Sequence, residues 1–203
     1  MTVVSDGRGT DMGGTAGRLV ACLLGVLMLG AMTAARAAVI DYPIGPGSAD
    51  IRFHTQVARV VPVDGAFNSF AGHILFDTAH PSEVSIDVVV DDAAMTVPFG
   101  GAQTLRSPPY FDHASFPTIH FQSDHVQVTA EDRFTVTGRL TIRGVTQPAT
   151  LQGRMTRLTL SGVAAIRVAA TSTLNRTAFG MVADRPLIAD QVDLRITATL
   201  RAP

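Results

Sequence analysis

Apolar and polar residues alternate one for one along most of the chain beyond residue 48, the period of two that a β-strand imposes when one face is dry and the other wet. The pattern is clearest over residues 133–156. Phe134, Val136, Gly138, Leu140 and Ile142 alternate there with Thr135, Thr137, Arg139, Thr141 and Arg143. Residues 144–148 break the run. Gly144 takes positive φ without steric cost, and Pro148 fixes its own φ and biases Gln147 towards an extended conformation, so the chain is predicted to reverse across this stretch. Alternation resumes with Ala149, Leu151, Gly153 and Met155 on one side and Thr150, Gln152, Arg154 and Thr156 on the other, which completes a β-hairpin.

The other segments follow the same rule. After a turn-rich lead-in, Asp41-Tyr42-Pro43 and Gly45-Pro46-Gly47, a strand places Ala49, Ile51, Phe53, Thr55 and Val57 on one face and Asp50, Arg52, His54 and Gln56 on the other. Val61, Val63, Gly65 and Phe67 continue it, and Phe70, Gly72, Ile74 and Phe76 restart it after an irregularity at Asn68-Ser69. A turn is predicted over residues 77–81, then a strand with Val84, Ile86, Val88 and Val90 inward. Residues 91–116 form an elaborated connection, punctuated by Gly100-Gly101 and Pro108-Pro109, with at most one or two helical turns near Ala102 and Arg106. Ile119 and Phe121 begin the next strand, where a phase slip at residues 123–125 predicts a bulge before Val126 and Val128. Ala164, Ile166, Val168 and Ala170 are predicted to face inward from a later strand, and Val192, Leu194, Ile196, Ala198 and Leu200 from the last.

About eight strands and no long helix predict an all-β antiparallel domain of meander type. A closed eight-stranded barrel is favoured over a sandwich because closure removes the unpaired edges of long alternating strands. Its inward set mixes Phe53, Phe67, Phe70, Phe76 and Phe121 with Gly138, Gly153, Ala149, Ala164 and Ala170, so one sector is bulky and another nearly empty. An apolar tunnel and an interior filled by large-against-small packing both fit that pattern.

Composition adds an address. The 46% hydrophobic content is high for such a domain, and much of the excess lies in residues 19–32, an apolar run shorter than the roughly 20 residues a membrane-spanning helix needs. Arg18 before the run and Ala35-Arg36-Ala37 after it give the regions of a secretory signal peptide in order. Cleavage is expected before Ala38, although Arg36 is unusual in such a box and an uncleaved anchor is the alternative. Residues 1–37 are thus read as an N-terminal extension plus signal peptide and residues 38–203 as a periplasmic barrel with no permanent membrane span. Cys22, the one cysteine, follows Leu19-Val20-Ala21 near the start of the apolar run, whose greater part lies after it rather than before it, so lipoprotein processing is not expected and the mature chain has no disulfide or thiol chemistry. Removing Arg8, Arg18 and Arg36 with Asp6 and Asp11 leaves a mature net charge of −2 and no basic footprint, which argues against nucleic acid as a partner.

Candidate chemistry is sparse. Asp112, His113 and Ser115 bring acid, base and nucleophile types together, but nearness in sequence is not a triad. His54 and His120 fall at outward positions, and no tight His/carboxylate spacing marks a metal site. Arg106 lies beside Ser107 and Asp112 in the long connection, where it either pairs with Asp112 to pin the loop or faces a headgroup at the tunnel mouth. Asn175-Arg176-Thr177 matches a glycosylation pattern by letter and carries no weight in a bacterial-type export product.

Several blocks, in order, resemble the YceI family: Gly65-Ala66-Phe67 with Phe70, Gly72 and Phe76-Asp77; Leu105-Arg106-Ser107 with Tyr110-Phe111-Asp112; Phe116-Pro117-Thr118-Ile119, Phe121 and Ser123; the run from Gly138 through Gly144 to Pro148; and Asn175-Arg176-Thr177 with Phe179-Gly180-Met181. The resemblance implies an extended lipocalin-like barrel that holds a long polyisoprenoid chain, of polyprenyl phosphate or quinone type, with a carrier or storage role and no enzymatic reaction. The lipid is a ligand and no cofactor is implied. The expected tunnel residues are Phe53, Phe67, Phe70, Phe76, Ile86, Val88, Phe121, Leu140, Ile142, Ile166, Val168, Ala170, Leu194 and Ile196. A homodimer is a candidate assembly. The chain departs from the family where an Arg-Asp-x-His run often precedes Leu-Arg-Ser, having Gly101-Ala102-Gln103-Thr104 instead, and where a histidine often follows the first strand, having Val57. An enzyme acting on an amphiphilic substrate and a ligand-free partner-binding barrel are the alternatives. Export is testable directly: the intact mass of the periplasmic product is expected to start at or near Ala38, and a membrane-bound product retaining residues 19–32 contradicts it.

Overall fold

The computed structural model describes residues 39–77, 83–130 and 132–201; the expected leader, the cleavage before Ala38 and residues 78–81 of the predicted turn lie outside them. The described strands are β1 (Val39–Ile44), β2 (Ala49–Val57), β3 (Val61–Phe67), β4 (Phe70–Asp77), β5 (Val84–Asp91), β6 (Met95–Thr96), β7 (Thr118–Ala130), β8 (Arg133–Ile142), β9 (Val145–Leu160), β10 (Val163–Asn175) and β11 (Gln191–Arg201). One α-helix is found among the described residues, α1 (Ala102–Arg106), in the connection between β6 and β7. All ladders are antiparallel, in the order β1-β4-β5-β7-β8-β9-β10-β11-β2-β3-β6.

The sheet closes through one bend. β3 runs through Asn68-Ser69 into β4, and β5 runs through the 3₁₀ turn Asp92–Ala94 into β6, while β3 pairs with β6 and β4 with β5. The Asn68 amide donates to the Ala94 carbonyl at 3.0 Å and the Asp91 amide to the Ser69 carbonyl at 2.9 Å, so pairing carries across the corner. Counted as two bent strands, these four segments restore the expected eight, and the ladder returns on itself as a barrel. β1 is an addition: the lead-in read as turns pairs with β4, and Pro43 is tolerated because β4 is the only ladder partner of β1 among the described strands.

Three other predictions need correction. The hairpin between β8 and β9 turns on Arg143-Gly144 alone, at φ of 52° and 70°, with Pro148 inside β9. Two residues at positive φ match the twist of the flanking strands, and Pro148 sits beyond the β9–β10 ladder, whose last pair is Thr171–Gln152, where its missing N–H breaks no bond to β10. In β10, Ala164 is exposed and Ala165 is buried. The inward phase there also carries Arg157 and Thr159 of β9, so at this hairpin tip the inner face of the barrel is wet. The small inward residues are also not an empty sector. Gly65 lies under the Phe53 ring opposite it, Gly153 under Phe134, and Gly138 against Phe121, and a Cβ at any of these would overlap ring atoms.

The bulge in β7 forms as expected, with register shifts at residues 123–125 and again at 128–130. It frees the Ser123 hydroxyl to accept from the Ile86 amide at 2.8 Å. Core burial then follows the inward phase, with Phe53, Phe67, Phe70, Val90, Ile119, Leu140 and Ile142 all buried.

Seating a ring on a glycine makes a specific prediction. Gly65→Val is expected to destabilise the fold by about 1–3 kcal/mol through overpacking against Phe53, and by much less in a Phe53→Ala background. Urea titration of the two singles and the double measures the coupling; strict additivity is incompatible with this packing.

Candidate ligand cavity

The barrel encloses a cavity of about 450 Å³. Twelve of the fourteen expected residues line it: Phe53, Phe67, Phe70, Ile86, Val88, Phe121, Leu140, Ile142, Val168, Ala170, Leu194 and Ile196. Phe76 and Ile166 do not. Phe76 is half-buried near the end of β4, opposite Ile40 and Val84, and Ile166 packs on the core opposite Leu200. Both lie towards the end of the barrel away from α1, and the cavity stops short of them. Further wall residues, Ile51, Ile119, Phe134, Val136, Leu151 and Val192, carry the same alternation signal as those expected.

One end of the cavity is built by loops, which alternation cannot reveal. Leu105, Tyr110 and Phe111 come from the connection around α1, and Arg176, Phe179, Met181 and Ile188 from the connection between β10 and β11. An aromatic row reaches this end, with Phe53 and Phe67 ring centroids 5.4 Å apart and Phe111 edge-on to Phe67 at 6.2 Å. α1 is stopped by Ser107, whose amide and hydroxyl both donate to the Thr104 carbonyl, and by Pro108-Pro109 beyond it.

Arg176 organises the second connection. Asn175 caps the 3₁₀ turn Arg176–Phe179, its Oδ1 accepting from the Thr177 amide at 3.0 Å and the Thr177 hydroxyl at 2.7 Å, and Gly180 at φ 78° ends the turn. The buried guanidinium then donates from Nε to the Ala189 carbonyl (2.9 Å), from Nη1 to Met181 (2.7 Å) and from Nη2 to Ile188 (3.0 Å), with Asp190 at 3.8 Å. Asn175-Arg176-Thr177, which matches a glycosylation pattern by letter, is thus a cap and a clamp. The same connection is tied to β2 by Ala58 N–H donating to Leu187 (2.7 Å) and Ala189 N–H to Gln56 (2.9 Å), and to the β8–β9 hairpin by Arg143 Nη1 donating to Gly180 (2.8 Å). Across from it the Tyr110 hydroxyl hydrogen-bonds Asp184. Burial pushes the Tyr110 phenol up to about 12, with the Asp184 hydrogen bond and charge adding to the rise and Arg176 opposing it.

Arg106 does not pair with Asp112. Its Nε donates to the Ala102 carbonyl at 3.2 Å, and its charge acts on Asp92. The loop is pinned by backbone instead: the Ser107 carbonyl accepts from Tyr110 and Asp112, and the Asp112 carbonyl from Ser115 and Phe116. His113 likewise bonds Asp92, not Asp112. Asp92 is 1% exposed; burial raises its pKa, and the His113 hydrogen bond and charge work against that rise. Asp91, Asp92 and His113 offer ligand atoms within 4.8 Å of one another, but Asp91 Oδ1 is committed to the Ala93 amide at 2.9 Å, and the group fixes the corner where β5 turns into β6. His54, His73 and His120 each meet an aspartate across neighbouring strands, Asp64, Asp41 and Asp87, at 2.9 to 3.0 Å.

An antiparallel barrel around an apolar cavity, with clamped loops at one end, is a lipocalin-like architecture. The model of the YceI-like domain matches residues 42–200, and the chain belongs to the YceI family. Among relatives by sequence, the UPF0312 protein YE1254 of Yersinia enterocolitica is 31% identical over 141 residues, 68% of this chain and 71% of that protein. A UPF0312 protein of Yersinia pseudotuberculosis, YPTB2234, is 33% identical over the same shares. Among solved structures, BcnA of Burkholderia cenocepacia superposes with a TM-score of 0.65 at 22% identity, covering 74% of this chain and 95% of BcnA. A polyisoprenoid binding domain from Saccharophagus degradans gives 0.61 at 15% identity, covering 82% and 100%. These two likenesses are of fold.

Tyr110 gives the loop end an alkaline signature. The unfolded chain releases this proton near 10 and the folded chain holds it to about 12, so the folded state binds more protons in that window and stability falls as pH rises through it. Tyr110→Phe is expected to flatten that part of the urea-midpoint profile, and an unchanged slope in the variant would assign it elsewhere.

Proposed function

We propose that this protein is an exported, periplasmic carrier that holds the long apolar chain of an isoprenoid lipid in its barrel, with the leader removed near Ala38. The observation that carries the reading is the almost wholly apolar cavity of about 450 Å³ inside the barrel. Each buried methylene of a guest contributes about 0.8 kcal/mol, so a prenyl tail binds there with few polar contacts. The solved Saccharophagus degradans domain of the same fold, described as polyisoprenoid binding, supports the choice of guest. Binding without catalysis is supported by the wall's polar groups, most of which the protein itself uses. Arg176 serves three carbonyls, Tyr110 serves Asp184, and the Thr55 hydroxyl donates to the Gln191 carbonyl at 3.0 Å, so among the described residues no nucleophile and base converge on the cavity.

Ala170 separates a carrier from a filled barrel. It lines the cavity from β10, between Gly153 on β9 and Ile196 on β11. In a carrier, Ala170→Phe places a ring in space meant for the guest, so the delipidated variant keeps its melting temperature and purifies without isoprenoid. In a close-packed interior the same ring costs about 1–3 kcal/mol and the wild type carries no lipid to lose. Comparing delipidated proteins removes the stabilisation that bound ligand adds. A strongly destabilised variant together with a lipid-free wild type ends the carrier reading.

A further inference from the structure

Among the described residues that line the cavity, one carries a polar group that the protein leaves unmet. Ser172 is 6% exposed and lines the cavity from β10, in the inward row that otherwise reads Val168, Ala170 and Leu174. Its Oγ is buried and has no hydrogen-bond partner. The neighbouring row offers no reason for a hydroxyl at this position, since Leu194 lies opposite on β11 and an apolar residue would extend the surface on both sides. The other polar side chains of the wall are accounted for: Thr55, Tyr110 and Arg176 are satisfied within the protein, and Thr104 is exposed. A buried hydroxyl left without a partner is destabilising, and folding alone gives it nothing in return.

We propose that Ser172 is the hydrogen-bonding point for an uncharged oxygen of the guest, a carbonyl or a hydroxyl, so that the oxygen-bearing end of the molecule lies inside the barrel and not at its mouth. The proposal rests on the carrier reading above and narrows it. A serine hydroxyl both donates and accepts, so it matches either oxygen type. It does not match a phosphate. Among the described residues lining the cavity the one cation is Arg176, and its three donating nitrogens are already committed to the carbonyls of Ala189, Met181 and Ile188. A phosphate at Ser172 would therefore be desolvated against a single neutral hydroxyl, an arrangement proteins avoid.

The test uses the purified exported protein, stripped of copurifying lipid, and displacement of the neutral dye N-phenyl-1-naphthylamine. Competitors are farnesylacetone, the hydrocarbon of the same skeleton, and farnesyl monophosphate. Wild type is expected to bind the ketone on the order of three- to tenfold more tightly than the hydrocarbon, the range that one net hydrogen bond supplies. Ser172→Ala abolishes that preference by weakening the ketone and leaving the hydrocarbon unchanged, and Ser172→Thr, which keeps the hydroxyl, restores it. Hydrocarbon binding with no ketone preference in wild type overturns the Ser172 assignment and leaves the carrier reading standing, as does an equal loss of both competitors in Ser172→Ala. Tightest binding by the monophosphate overturns the uncharged class. Failure of all three competitors to displace the dye overturns the carrier reading and this proposal together.

Discussion

The structure depends on the corner where β3 bends into β4 and β5 into β6. A sheet of this length, left open, would present two unpaired edges to solvent. Letting one strand change partners, from β2 and β6 before the bend to β5 and β1 after it, converts the sheet into a ring. Asp92 is the side chain most committed to that geometry, since it is buried at the corner and held by His113 from the following connection. Closure also produces the cavity, because the inward face of a ring encloses volume whereas that of an open sheet must be covered by something else.

Within the ring, large residues are seated on glycines of adjacent strands, and this decides how much space is left. The rings of Phe53 over Gly65, Phe134 over Gly153 and Phe121 against Gly138 occupy space that a Cβ on each glycine would take. The large-against-small pattern that also predicts a filled barrel therefore acts here in the opposite sense: it thins the wall. Fully packed interiors leave few voids larger than a water molecule, so a cavity of about 450 Å³ is a departure from ordinary core packing that the seated rings make possible.

What alternation revealed, and what it did not, divides along the same line. Inward phase is a local property with a period of two, so Val136, Leu140, Ile142, Val168 and Leu194 were assignable from their neighbours. Phase fails where the wall stops being a wall. Ala164 falls on the inward phase, yet sits at a hairpin tip where that face is wet, and Ile166 and Phe76 lie beyond the end of the cavity. The turn at Arg143-Gly144 is narrower than the sequence suggests, because Pro148 reads as punctuation unless the length of the neighbouring β10 ladder is known. The loop end is the least legible, since its defining contacts join distant segments: Tyr110 meets Asp184, and Arg143 reaches Gly180. Only the family-like blocks around Tyr110 and Phe179 marked these stretches as special.

Arg176 shows why such a block resists a local reading. On its own the triplet Asn175-Arg176-Thr177 suggests either a surface modification or an available cation. Three carbonyls, all supplied by the residues that follow, each take a donor from one of its three nitrogens, so the guanidinium is held by its own loop. A buried guanidinium with its hydrogen bonds satisfied is stable only while those carbonyls stay in place, so the charge holds the loop as firmly as the loop holds the charge. The polar character of the cavity end is thereby spent on structure. On the carrier reading proposed above, selection among apolar guests is left to the shape of the wall and to whichever polar atom the fold has not used.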